Sequence, residues 1–300
     1  MHEIMALDSN NFADLAKAAG MDLAMPSTDT KSSTLTRFSL QHKALSGRQD
    51  IKGKMVNVEV VEAGSIKLEN PETKELIYAQ SARLRPYMQR VLYKRFIMGS
   101  GDTPNMFIKT VMATDLNGDL KDSEGGFNCG KPAGYIKDWA AIPDPLKAVI
   151  KQIKRTRAIF GTVTLQGAVN SQGEPVTLED NTPVIWEIDN RDAFKDSNAP
   201  FRTLFARKEL PLQRYINVTT TEKSIPNGES FYLPNLDLDL AQGKNEITEE
   251  DQEMFSDLLS WVSNYNSYIL RQWDEKTGVG DVPSGEAALI DGFLSVEQAA

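Results

Sequence analysis

Hydrophobic and polar positions divide this chain into a β-rich middle flanked by helical ends. Residues 10–25 (NNFADLAKAAGMDLAM) place Phe12, Leu15, Ala19 and Met21 near one face of a short amphipathic helix. The Pro/Ser/Thr-rich stretch 26–35 reads as a linker. From Met55 the pattern turns to β. Val58, Val60 and Val61 begin a strand, Ile66 and Leu68 continue it beyond Gly64, and Glu69-Asn70-Pro71-Glu72 makes a turn. The runs Ala82–Met98 and Met106–Ala113, joined through Gly99-Ser100-Gly101-Asp102, predict a hairpin. Residues 114–135 are glycine-rich and poor in large apolar side chains, which predicts a long loop.

Further along, Asp144-Pro145 opens a predicted helix that runs to about Thr156, with Leu146, Val149, Ile150 and Ile153 on one face. Strands are predicted at Ala158–Leu165, Val184–Ile188, Arg214–Thr221 and Phe231–Leu236, with a short helix starting at Asn198-Ala199-Pro200. The strongest helical signal comes last. Thr248 and Asp251 form a capping box, and Phe255, Leu258, Leu259, Val262, Tyr265 and Ile269 line one face up to Lys276-Thr277-Gly278. The expected fold is α+β and β-rich: antiparallel, an OB-like, partly open barrel of roughly eight strands with peripheral helices and a long C-terminal helix. The expected organisation is an N-terminal arm and linker (1–35), a β-rich OB-like nucleic-acid-binding body (36–240), an acidic amphipathic helix (241–278) and a flexible acidic tail (279–300).

Composition is that of an ordinary globular protein, with 40% hydrophobic and 25% charged residues among 300. No apolar run is long enough to span a membrane as a helix, and the first residues lack a secretory-signal pattern. One cysteine (Cys129) and two histidines (His2, His42) make neither an internal disulfide nor a structural zinc site, so a cytoplasmic protein without metal or cofactor is expected.

Charge changes the picture. The net charge is −9, yet residues 31–160 carry +9 while residues 231–300 carry −11. A basic surface attracts polyanions by releasing counterions, and an acidic segment can compete for it or dock on a basic partner. The segment Ser81–Phe96 is the most informative. It interleaves Arg83, Arg85, Arg90, Lys94 and Arg95 with Tyr87, Tyr93 and Phe96 and contains no acid. Single-stranded nucleic acid needs cations for its phosphates and flat rings for its bases, and this segment supplies both. The alternative is that the rings are core and the arginines rim.

A second basic run holds Lys147, Lys151, Lys154, Arg155 and Arg157, and no acid follows until Glu174. On the predicted helix, Lys147, Lys151 and Lys154 share one face, as phosphate contacts or as an ordinary solvated face. A weaker cluster is Arg202, Arg207, Lys208 and Arg214, and Lys31, Arg37, Lys43, Arg48, Lys52 and Lys54 are spread through the linker, where they could contact phosphates as it orders.

Other motifs fail on chemistry. Gly125–Lys131 matches a phosphate-binding loop, but Pro132 stands where Ser or Thr would hold magnesium, and Asp119–Glu124 is polar where an apolar strand should precede. The loop still offers Phe127, Lys131, Tyr135 and Lys137 to clamp a nucleic-acid strand, the alternative being a surface loop with turns. Asp115–Asp119 begins like a calcium loop but has Leu120 and Gly126 at the glycine and glutamate positions, so carboxylates capping backbone amides are expected. Cys129 has no histidine nearby in sequence, and no hydrolase motif appears. A non-catalytic protein is expected.

The layout of a basic body and an acidic C-terminal segment, together with Thr114-Asp115-Leu116-Asn117-Gly118-Asp119-Leu120 through Gly130-Lys131-Pro132-Ala133-Gly134-Tyr135-Ile136, resembles the single-stranded DNA-binding proteins of tailed bacteriophages. That resemblance implies an OB-fold body that binds DNA in replication or recombination. It also implies an acidic segment that contacts partner proteins and competes for the DNA cleft. Many such tails end in an acidic tip with a terminal aromatic, whereas here the tip is Ser295–Ala300 and Phe293 lies upstream of it. The expected partners are single-stranded DNA and replication or recombination proteins, with a homo-oligomer possible. The competing expectation is a phage virion or assembly protein whose terminal helices make subunit contacts.

Overall fold

The computed structural model describes residues 35–101, 104–224 and 228–278. The helix expected at 10–25, nearly all of the linker and the acidic tail lie outside them. Among the described residues there are eleven strands: β1 Thr36–Leu40, β2 Leu45–Ile51, β3 Lys54–Val61, β4 Ile66–Glu69, β5 Leu76–Ala79, β6 Ser81–Ile97, β7 Met106–Lys109, β8 Ile153–Gln166, β9 Thr182–Ile188, β10 Ile216–Ser224 and β11 Ser230–Leu238. Four helices accompany them: α1 Asp144–Gln152, α2 Arg191–Asp196, α3 Ala199–Ala206 and α4 Glu249–Thr277. The fold is therefore mixed α+β and strand-rich, with a large antiparallel sheet and a long C-terminal helix. Among the described residues, no helix is long and apolar enough to cross a membrane.

The main sheet runs β11-β10-β6-β8-β9-β1-β4-β5, with β7 added to the far end of β6. Every pairing is antiparallel except β1 with β9. Its spine is β6 on β8, joined from Ser81↔Gln166 to Arg95↔Ile153. A bulge at Tyr87 breaks the register between Pro86↔Gly161 and Met88↔Phe160 and switches which parity of β6 faces which side. Only glycine fits at 161, because a Cβ there would lie 2.4 Å from the Arg85 carbonyl oxygen.

Alternation across the sheet sends neighbouring residues to opposite cores. Ile159 and Trp186 enter one, with Phe38, Leu84, Ile216 and Val218. Phe160 and Ile185 enter the other, with Leu92, Met112, Phe255, Leu258 and Ile269. The sheet curls around the first core. Its ends meet through Thr220 Oγ1 donating to Gly64 O (2.8 Å) and Tyr232 N donating to His42 Nδ1 (3.2 Å), but no backbone ladder closes it.

Helix α4 covers the second core. Thr248 accepts from the Asp251 N–H, Asp251 accepts from the Thr248 N–H, and Gly278 ends the helix in the left-handed conformation. Its inner face meets the strap after β7. Asn266 accepts from the Met112 N–H (2.7 Å) and donates to the Met112 carbonyl (3.0 Å), and Tyr265 donates to the Thr110 carbonyl (3.1 Å). The acidic helix is thus built into the body's core rather than appended to it.

Four local expectations are corrected. Residues 36–51 hold two strands where none was predicted, and β2 and β3 form a separate two-stranded ribbon turned by Lys52 (φ 56°) and Gly53 (φ 79°). The helix that opens at Asp144 stops at Gln152, because the backbone from Ile153 onward pairs with β6. Lys154, Arg155 and Arg157 therefore stand on a strand, and Lys147, Lys151 and Lys154 do not share one helix face. Helix α2, capped by Asn190 accepting from the Asp192 and Ala193 N–H groups, was also unexpected.

Candidate nucleic-acid interface

Parallel pairing of β1 with β9 lasts three residues, Thr36↔Val184 to Phe38↔Trp186. Beyond that point β1 follows β4 and β9 follows β8. The strands part, and a cleft of about 1230 Å³ opens between them, bounded also by α1, α2 and β11. Eight lysines or arginines line it against three acids, Glu69, Glu187 and Asp189. This excess sits on a chain whose net charge is −9. Rings are interleaved with the cations: Trp139, Phe194, Phe231 and Tyr232 contribute to the lining, and Trp139 is 43% exposed.

The cleft floor is an ion cluster. Lys94 Nζ lies 2.5 Å from Glu187 Oε2, and Lys94 pairs across the ladder with Lys109, which is also buried. Burial alone would raise the Glu187 pKa. Lys94, Lys109 and Arg37 outweigh it and hold the carboxyl down to about 2. One wall carries Lys154, paired with Asp189 at 3.0 Å. Lys151, Arg155 and Arg191 are exposed, and among the described residues no carboxylate forms an ion pair with them. Arg155 lies over the Phe194 ring at 5.1 Å. His42 sits at the rim, its pKa lowered by burial and by Lys67.

Of the residues singled out in sequence, the structure brings Arg37, Lys94, Lys151, Lys154 and Arg155 into this cleft, with Arg157 and Arg202 in the adjoining depression. Most of the others are spent elsewhere. Arg85 forms a two-pronged bond to Asp251 (2.7 and 2.8 Å), and Tyr87, 5% exposed, donates to the same carboxylate at 2.5 Å. Burial first, and then that hydrogen bond, push the Tyr87 phenol well above its ordinary pKa. Arg83 lies over the Tyr215 ring at 3.8 Å, 3.5 Å from Asp239. Arg90 is half-buried and donates to the Gln89 carbonyl, and burial lowers its pKa. Arg95 donates to Gln152 Oε1 (3.1 Å).

Tyr93 is buried, and Lys131 sits 5.4 Å over its ring while donating to the Pro132 and Gly134 carbonyls. Tyr87 and Tyr93 are therefore closed to bases. Phe96 (43%) and Tyr135 (87%) are exposed but do not line the cleft. In the loop after β7, Asp122 accepts backbone N–H groups from Glu124, Gly126 and Cys129, and Asp115 accepts from Asn117. Glu209 holds Arg207 and Arg214, which removes them from the third basic cluster.

Sequence reasoning missed Trp139, Arg191 and Phe194 as site residues. The available signal was Arg191-Asp192-Ala193-Phe194-Lys195, a short basic-aromatic run close after a strand. Comparison with family models, with curated proteins and with solved structures finds no match for the chain.

Proposed function

We propose that this chain is a non-catalytic single-stranded DNA-binding protein of phage-type replication or recombination. The observation that carries this reading is the convergence of Lys151, Arg155 and Arg191, none held by a carboxylate among the described residues, with the exposed Trp139 ring and the half-buried Phe194 ring in one open cleft. Phosphates would lie along the cations, and unpaired bases would find flat surfaces on Trp139 and Phe194. A cleft between diverging strands suits a thin, bendable strand better than a duplex, whose grooves are read by an element that protrudes. In this reading the curled, open sheet plays the part of an OB-like barrel. The exposed acids at the start of α4 (Glu249, Glu250, Glu253 and Asp257) offer a surface for basic replication or recombination partners.

Fluorescence anisotropy with labelled oligo-dT over a salt series tests the proposal. Affinity should fall as salt rises, with a log–log slope of about −0.7 for each phosphate contacted. Replacing both Lys151 and Arg155 by alanine should make the slope shallower by roughly 1.4 and weaken binding about tenfold at low salt. Absent or salt-independent affinity for oligo-dT overturns the reading. A stable high-order oligomer without such affinity favours the virion or assembly role instead.

A further inference from the structure

A smaller depression of about 480 Å³ adjoins the cleft and shares Arg155, Arg191 and Phe194 with it. Arg157, Lys195 and Arg202 complete its cationic lining, and Asp192 is its one acid. Arg157 is the unusual member. It is only 6% exposed, yet its hydrogen bonds go to neutral acceptors: Gln89 Oε1 at 2.6 Å and the Phe194 carbonyl at 3.4 and 3.3 Å. Buried charges in folded proteins are normally matched by an opposite charge. The burial lowers the Arg157 pKa to about 10, which still leaves the guanidinium charged at neutral pH.

Arg155 stands two residues along the same strand, and both guanidiniums lie over the Phe194 ring, at 5.1 and 4.8 Å. Arg191 and Lys195 come from α2 and Arg202 from α3. Among the described residues none of these three has a carboxylate partner. Five cations held around one depression repel one another, and an anion of more than one charge relieves that repulsion best. A phosphate monoester carries about −1.5 to −2 at neutral pH, against −1 for a phosphodiester. Arginine forks suit its oxygens, and Phe194 offers an apolar wall beside it.

We infer that this depression is an anchoring pocket for a terminal phosphate monoester of a nucleic-acid strand lying in the adjoining cleft. The inference rests on the proposed DNA-binding role, and it adds an end-recognising activity to it.

The test uses the full chain and oligo-dT of one length bearing either a phosphate or a hydroxyl at each end. Thermal shifts with dTMP and thymidine run alongside. The terminal phosphate should improve affinity about tenfold, and dTMP but not thymidine should raise the melting temperature. Converting the two rim residues (Arg191→Ala with Arg202→Ala) should erase both effects while leaving the fold intact. Equal affinity for the two end groups overturns the inference and leaves strand binding standing. A preference that survives the double variant places the phosphate elsewhere and overturns it too. Stabilisation by dTMP without any oligo-dT affinity supports the pocket and sinks the DNA-binding reading, and the absence of both sinks the two together.

Discussion

At one end of the β6–β8 ladder, Arg83 and Arg85 meet Asp239 and Asp251, and the nearby Tyr87 ring is sealed beneath α4. At the other end, Arg155 and Arg157 pair across from Tyr93 and Val91 and, among the described residues, have no carboxylate within ion-pairing distance. Both ends present arginines beside aromatic rings on a strand. What separates them is a carboxylate delivered by a distant segment. Where one arrives, the basic-aromatic pattern becomes a structural joint. Where none arrives, it stays open to an outside anion. Composition of a strand therefore nominates a polyanion surface, and the long-range acid decides whether it remains one.

The contrast can be broken most strongly at the closed end. Asp251→Ala strips the partner from Arg85 and Tyr87 and removes one of the two bonds of the α4 capping box. It should cost about 4 kcal/mol in urea unfolding, because breaking a buried pair strands a charge. Oligo-dT affinity, measured where the variant is still folded, should stay within about twofold. A large affinity loss there would make the closed end part of the binding surface.

The cleft floor is intermediate between the two ends. Glu187 is held at about 2 in the folded chain against an ordinary 4.5. Between those values the unfolded chain binds more protons, so stability is full above about pH 4.5 and falls as the pH drops toward 2. About 3 kcal/mol should be lost across that window, as followed by urea midpoints at stepped pH. Glu187→Gln should flatten that part of the profile, and an unchanged profile would show that Lys94 and Lys109 do not control the carboxyl.

The smallest change makes the open end resemble the closed one. Asn198 lines the smaller depression at the N-cap of α3. Asn198→Asp gives the cations an internal partner and should weaken oligo-dT binding three- to tenfold while raising stability by about 0.5–1 kcal/mol. Unchanged affinity would mean that the depression does not contribute to binding.

Much of the architecture was readable from local pattern. Thr248 and Asp251 announced α4 because a capping box is short-range chemistry, and the apolar spacing of Phe255, Leu258, Val262 and Ile269 matched the face that is buried. Strands β1 and β2 were not readable. TRFSL and LSGRQDI are short and polar, and β1 exists because β4 and β9 pair with it on both sides. The end of α1 was misjudged for the same reason: Ile153 to Thr156 satisfy a helical spacing but gain more from the β6 ladder. At the site, the run from Lys151 to Arg157 was legible as a charge excess. The fate of Arg83, Arg85 and Tyr87 was not, since their neutralising groups are more than 150 positions away in sequence.

The bond from Arg85 to Asp251 closes a loop of 166 residues. At a ribosomal pace of 5–20 residues per second, roughly 10–30 s separate the emergence of the two side chains. Once Arg155, Arg191 and Phe194 have also emerged, and until Asp251 arrives, the emerging polypeptide displays two cationic, ring-bearing surfaces instead of one. Folding finishes by hiding the first when the last helix docks, and this long-range closure makes acquisition of the mature charge distribution a late step in the birth of the molecule.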